Sequence, residues 1–170
     1  YVRYLRPDVK IIGVEAEGAA SMTRAVAAKR RVRLPLDTLD LFADGTAVRQ
    51  VGKESFRLAR RCIDEMVTVN VDEICAAVKD VFDDTRVLAE PSGALAVAGA
   101  KRHIADHGPM VNACVAIVSG ANVNFDRLRH ISERAESGEQ REILLGVEIP
   151  EEPGSFLRFA NHVGSRAVKE

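Results

Sequence analysis

Apolar positions recur along this chain in two alternating rhythms. Val9-Lys10-Ile11-Ile12-Gly13-Val14-Glu15 is a short β-branched run, and the alanine-rich residues 18–29 follow with helical spacing at Met22, Val26 and Ala27. The pair reads as a strand and then a helix. Leu34-Pro35-Leu36 and the turn signal Ala43-Asp44-Gly45 mark residues 33–45 as a loop, and Phe56, Leu58, Ala59 and Ile63 predict a helix over 53–63. Met66-Val67-Thr68-Val69 reads as a second strand. Asn70, with Glu73 three residues on, makes a capping box for a helix whose apolar stripe is Ile74, Ala77, Val78, Val81 and Phe82. Pro91 opens another helix carrying Leu95, Val97, Ala98 and Ile104, which His107-Gly108-Pro109 stops. Cys114-Val115-Ala116-Ile117-Val118 is apolar without alternation, the pattern of a strand covered on both faces. Residues 125–135 again read as a helix.

Strands that alternate with helices and look buried on both sides argue for α/β architecture: a parallel sheet between helical layers, with ligands beyond the carboxyl ends of the strands. The polar, glycine-containing run Glu136-Ser137-Gly138-Glu139-Gln140 suits a junction, dividing the chain into 1–138 and 139–170. Beyond it, residues 143–149 read as a strand, 150–154 as a turn, and 155–163 as a helix with Phe156, Phe159 and Ala160 on one side. One strand and one helix bury too little apolar area to offset roughly 1 to 2 kcal/mol of backbone entropy per residue, so this second unit is expected to be incomplete. Tyr1-Val2-Arg3-Tyr4-Leu5-Arg6 resembles a helix end running into Pro7-Asp8, so the chain is expected to begin within a fold.

Composition narrows the function classes. With 46% hydrophobic residues among 170, the chain fills one ordinary core or one core and part of another. Lys and Arg (24) nearly balance Asp and Glu (25), so no field of one sign steers it to nucleic acid or an anionic membrane. No apolar run approaches the roughly 20 residues that span a bilayer. Cys62, Cys75 and Cys114 are scattered, without a CxxC pair, as suits a reducing cytoplasm.

Val118-Ser119-Gly120-Ala121-Asn122-Val123-Asn124 sets a hydroxyl and turn-forming residues at the carboxyl end of an expected strand, where such sheets present ligands. Ser119 either faces that ligand or caps the next helix or bonds local backbone. His103 and His107 stand four apart on an expected helix, as metal ligands can, but no third ligand is near in sequence and a solvated helix face explains them.

Three motifs in order, Phe42-Ala43-Asp44-Gly45-Thr46-Ala47-Val48, Ala89-Glu90-Pro91-Ser92-Gly93-Ala94 and Ser119-Gly120-Ala121-Asn122-Val123-Asn124, resemble those of the fold-type II pyridoxal-phosphate enzymes and, within them, the biosynthetic threonine dehydratases. The resemblance extends over Ile131-Ser132-Glu133-Arg134 and the tail from Gly138 to Phe156. It implies pyridoxal 5'-phosphate as cofactor, with Ser119 and Gly120 at its ring and Ser119 bonded to the ring nitrogen. A hydroxyl partner does not hold that nitrogen protonated, and the weaker electron sink suits β-elimination more than transamination. Glu90 then lines the cofactor pocket, or else accepts N–H groups at a helix start. Asp44 and Gly45 form a loop on the substrate side, or an ordinary turn.

The resemblance further implies a lyase that converts L-threonine to 2-oxobutanoate and ammonia for isoleucine synthesis. It also implies an ACT-like regulatory domain beginning in the tail, isoleucine as allosteric effector, and a homotetramer. A catabolic serine/threonine dehydratase and a non-catalytic amino-acid-binding module are the alternatives. The family's Ser-Phe-Lys type motif with its Schiff-base lysine, and its glycine-rich phosphate loop, do not occur in these 170 residues. The chain by itself is therefore expected to be inactive. Glu15 matches a metal ligand of the related serine racemases, but Ser21 stands where they supply a carboxylate, so no metal is expected there.

Overall fold

The computed structural model describes residues 1–109, 113–139 and 146–164. A short helix α1 (Val2–Leu5) precedes β1 (Ile12–Ala16), a 3-10 turn (Glu17–Ala19), α2 (Ser21–Ala27) and α3 (Lys53–Cys62). Then come β2 (Glu65–Val69), α4 (Val71–Thr85), α5 (Pro91–His107), α6 (Arg127–Gly138) and α7 (Ser155–Val163). β1 and β2 pair in parallel, in register from Ile12 against Glu65 to Ala16 against Val69. The expected α/β pattern with a parallel sheet is thus present. Parallel neighbours need a long crossover, which the two helices and the loop between them supply.

The core is built by alanine-rich helices. Ile74, Cys75, Ala77 and Val78 of α4 meet Ala94, Leu95 and Ala98 of α5, Ile131 and Ala135 of α6, and Ala16 and Val69 at the strand ends. Burial pushes the Cys75 thiol up to about 12, so it stays a neutral, small apolar side chain. α5 lies close on the sheet because it has no side chain at Gly99, where a Cβ would come within 2.3 Å of Val14. Gly138 has a similar use. A Cβ there would stand 2.1 Å from the carbonyl oxygen of Asp72, so this glycine lets the end of α6 press onto the start of α4. Residues 136–138, expected as a polar junction, are the last turn of that helix, held by Arg134 to Asp72 (2.6 Å) and Lys79 to Glu139 (3.3 Å).

Asn70 caps α4 as its spacing predicts. Its side chain accepts from the Glu73 N–H (2.9 Å), and Glu73 accepts from the Asn70 N–H (2.8 Å) and from Arg102 of α5 (2.7 Å). Burial works against ionising Glu73, but the hydrogen bonds from Arg102 and Asn70 outweigh it and hold the carboxyl below its ordinary 4.5. A depressed folded value means stability that is present above pH 4.5 and lost as pH falls through that lower value. Glu73→Ala is expected to cost about 1–2 kcal/mol at neutral pH. In paired thermal melts, the gap between variant and wild type should close on acidification below pH 4.5.

One expected strand is absent. Residues 114–118 pair with no strand among the described residues, and Val115 and Ile117 are 86% and 74% exposed. Their apolar run signals a segment built to be covered, yet among the described residues no strand lies alongside it. The expected strand at 143–149 falls partly outside the described residues, and 146–149 carry no strand pairing. The tail helix spans the residues expected of it, Ser155–Val163.

Candidate functional site

α5 runs antiparallel to the strands, because His103 near its end lies against Glu65 at the amino end of β2. Its first turn therefore opens at the carboxyl end of the sheet, where Pro91 at the first helical position starts the helix without losing a hydrogen bond. A second segment is strapped to that turn. The Ser119 N–H donates to the Gly93 carbonyl (3.2 Å), and the Glu90 N–H donates to the Gly120 carbonyl (3.2 Å). Gly120 sits at φ +76, in the left-handed region where a side chain is strained.

The approach of the two backbones is tight. A Cβ on Gly93 would lie 1.8 Å from the Ser119 carbonyl oxygen, and one on Gly120 would lie 2.0 Å from Glu90 Oε1. Glu90 caps α5 by position only and makes no side-chain cap hydrogen bond; its carboxylate lies over Gly120 and faces Gly45, whose Cβ would stand 3.5 Å away. Asp44 and Gly45 do form a turn, with Thr46 N–H donating to the Ala43 carbonyl (3.1 Å) and Gly45 N–H to Asp44 Oδ1 (3.0 Å). That turn also borders the cleft, since a Gly45 Cβ would be 3.0 Å from Ser92 Oγ. Arg127 of α6 anchors it by donating to the Phe42 carbonyl (2.8 Å) and lying over the Phe42 ring.

Ser119, Gly120, Glu90 and Gly45 thus meet at one place, with Asp44 exposed at its rim. Ser119 does not cap the next helix, which starts at Arg127 behind Asp126, and its hydroxyl is free of partners among the described residues. Ser92 Oγ is buried without a partner. The exposed, unpartnered Ser119 hydroxyl, the buried, unpartnered Ser92 hydroxyl and the Glu90 carboxylate offer the polar contacts that a pyridine ring takes, so the residues present fit the pyridoxal group. Ser92, Gly93 and Arg127 were not singled out from the sequence; the Pro-Ser-Gly triplet was the available signal for the first two.

Elsewhere, the carboxylate of Glu15 accepts from Met22 N–H (2.8 Å), Thr23 N–H (2.7 Å) and Thr23 Oγ1 (2.6 Å), fastening β1 to α2. A depression of about 220 Å3 lies beyond Ala16 and Val69 between Asp40, Asp72 and Arg134, apart from the Ser119 cleft. The solvated-face reading holds for exposed His107 and fails for His103, which is 8% exposed.

Similarity to known proteins agrees with this geometry. Residues 1–120 match the family profile of pyridoxal-phosphate dependent enzymes, and residues 133–170 match that of the C-terminal regulatory domain of threonine dehydratase. The chain is 54% identical over its full length to the biosynthetic L-threonine dehydratase IlvA of Burkholderia multivorans, covering 33% of that protein. It is 52% identical to the Escherichia coli counterpart over 99% of its length, covering 32% of that protein. The chain thus spans about a third of the curated relatives it matches. Among solved structures, the processed form of threonine deaminase isoform 2 from Solanum lycopersicum superposes with a TM-score of 0.77 at 43% identity, covering 80% of this chain and 37% of that one. With the motif order, the strapped cleft and the family profile in agreement over residues 1–120, this chain belongs to the fold-type II pyridoxal-phosphate dependent enzymes.

Proposed function

We propose that this chain is the later part of the catalytic domain, followed by the start of the regulatory domain, of an L-threonine dehydratase that forms 2-oxobutanoate and ammonia. The observation that carries the reading is the cleft itself: a free Ser119 hydroxyl and an orphaned Ser92 hydroxyl beside Glu90, where α5 and the 119–120 segment touch without side chains. The names of the relatives supply the substrate. Pyridoxal phosphate, when bound, supplies an electron-withdrawing ring that stabilises negative charge at the substrate's amino-bearing carbon. Ser119 would hold the ring nitrogen by one neutral hydrogen bond, Gly120 and Gly93 let the segment that carries Ser119 close onto Glu90 and the first turn of α5, and Glu90 borders the ring. Asp44 and Gly45 form the substrate-side wall. The Schiff-base lysine lies outside these 170 residues, so the chain by itself has no covalent step.

The same reading puts the catalytic boundary at 138/139, where α6 ends, with the regulatory profile beginning inside that helix at 133. Isoleucine as effector, a homotetramer and a cytoplasmic site complete it; no described helix is long and apolar enough to cross a membrane. The test is release of 2-oxobutanoate from L-threonine by the full-length protein with pyridoxal phosphate, with L-serine and isoleucine as further arms. Absence of 2-oxobutanoate would sink the proposal, and indifference to isoleucine would favour the catabolic alternative. Ser119→Ala should weaken cofactor binding about tenfold, the scale of one net hydrogen bond, as read by absorbance titration. Unchanged affinity would remove Ser119 from the ring nitrogen.

A further inference from the structure

At the other end of α5, away from the cofactor cleft, the fold assembles three residues that the reading above does not use. His103 and His107 stand one turn apart near the end of the helix, and Glu65, the first residue of β2, comes up against them. One donor atom from each lies within 4.8 Å of the other two. His103 is 92% buried by its 8% exposure, and its Nδ1 faces Glu65 Oε1 at 3.5 Å without making a hydrogen bond to any partner. Buried polar atoms are nearly always hydrogen-bonded, so a bare one marks a donor that lacks its ligand.

We propose that Glu65, His103 and His107 form a binding site for a zinc-class divalent cation that fastens the end of α5 to the amino end of β2. The donor set is two imidazoles and one carboxylate, the borderline mixture that suits zinc, with a fourth position for water. Two histidines at i and i+4 present their rings on one helix face, the spacing that lets both reach one ion. The His107 Nδ1 bonds the His103 carbonyl (3.0 Å), which assigns the proton to Nδ1 and leaves Nε2 as the lone-pair nitrogen. The two rings stack at 4.2 Å with an interplanar angle of 27°. Tetrahedral zinc needs donors about 3.4 Å apart, from bonds of about 2.0–2.1 Å. The exposed His107 supplies the closing movement.

Glu65 divides its carboxylate. Oε2 pairs with Lys10 Nζ at 2.5 Å, and Oε1 is turned toward His103. As a carboxylate it is a charged ligand at neutral pH. Lys10 is half exposed and can leave, so it acts as a competitor for the site.

The test is calorimetric titration of metal-stripped full-length protein with Zn2+, with cobalt substitution as a second readout. Binding of one zinc per chain is expected. His107→Ala, at an exposed position, and the near-isosteric Glu65→Gln should each weaken it at least about 100-fold while the protein stays folded by circular dichroism. Lys10→Ala should tighten it a few-fold, on the scale of an exposed ion pair. His162→Ala, on α7, should leave it unchanged. Cobalt should give a nitrogen and oxygen ligand-field spectrum. Zinc binding untouched by His107→Ala and Glu65→Gln, a thiolate-to-cobalt band pointing to Cys114, or no binding at all would overturn the proposal and leave the cluster as a His-Glu-Lys ion pair.

Discussion

Gly93→Ala is expected to abolish tight cofactor binding in the full-length protein and to lower its stability by about 1–3 kcal/mol, the usual penalty of overpacking. The added methyl would sit 1.8 Å from the Ser119 carbonyl oxygen, 2.6 Å from that of Gly120 and 2.8 Å from the Ser119 carbonyl carbon. All three are backbone atoms, so no side chain can swing aside. The 119–120 segment must move, which strains both of its bonds to the first turn of α5 and carries the Ser119 hydroxyl out of position. Gly146→Ala, where nothing among the described residues lies within 4 Å of the new Cβ, should be nearly neutral in the same background. Absorbance titration with pyridoxal phosphate and a thermal melt read the two effects separately. A folded Gly93→Ala protein with wild-type cofactor affinity would show that the strap does not build the cleft.

Ile74→Ala is expected to have the largest effect on stability alone, about 2–5 kcal/mol by denaturant unfolding. The side chain is wholly buried on the inner face of α4. It belongs to the cluster that joins α4, α5 and α6 to the strand ends. Its neighbours there are mostly alanines and valines, short side chains that cannot reach into the space vacated. Against a typical total of about 5–15 kcal/mol, a loss of that size puts a marginal domain at risk. A loss under about 1 kcal/mol would mean that α4 and α6 can slide together to fill the gap.

Local chemistry was the part of the fold most legible in the sequence. Asn70 with Glu73, Pro91 at a helix start, Gly108 at its end and the spans of α3, α4 and α7 follow from short-range devices and lie where the pattern puts them, although Leu58, Phe82 and Phe156 of the expected apolar stripes are exposed. The strand expected at 114–118 shows the limit of such reading. Periodicity records that a segment is meant to be covered, while the cover comes from residues distant in the chain. Gly138 shows another: a glycine in a polar run reads as part of a junction, and the run does not reveal the Asp72 carbonyl against which this glycine packs.

The cleft and the histidine cluster divide along the same line. The residues at the cleft stood out as three ordered motifs, and the sequence by itself determined their types, their order and the helix start that carries Glu90. That Glu90 turns away from the helix N–H groups and lies over Gly120 was decided only when two backbones met at a distance no side chain permits. His103 and His107 were visible as a pair. Glu65, 38 residues before His103, becomes their neighbour because β2 and α5 run in opposite directions and bring the start of one to the end of the other. Sequence determines which groups a helix or strand presents, since that follows from periods of 3.6 and 2.0; which groups face one another follows from packing between elements, and only the tertiary structure decides it.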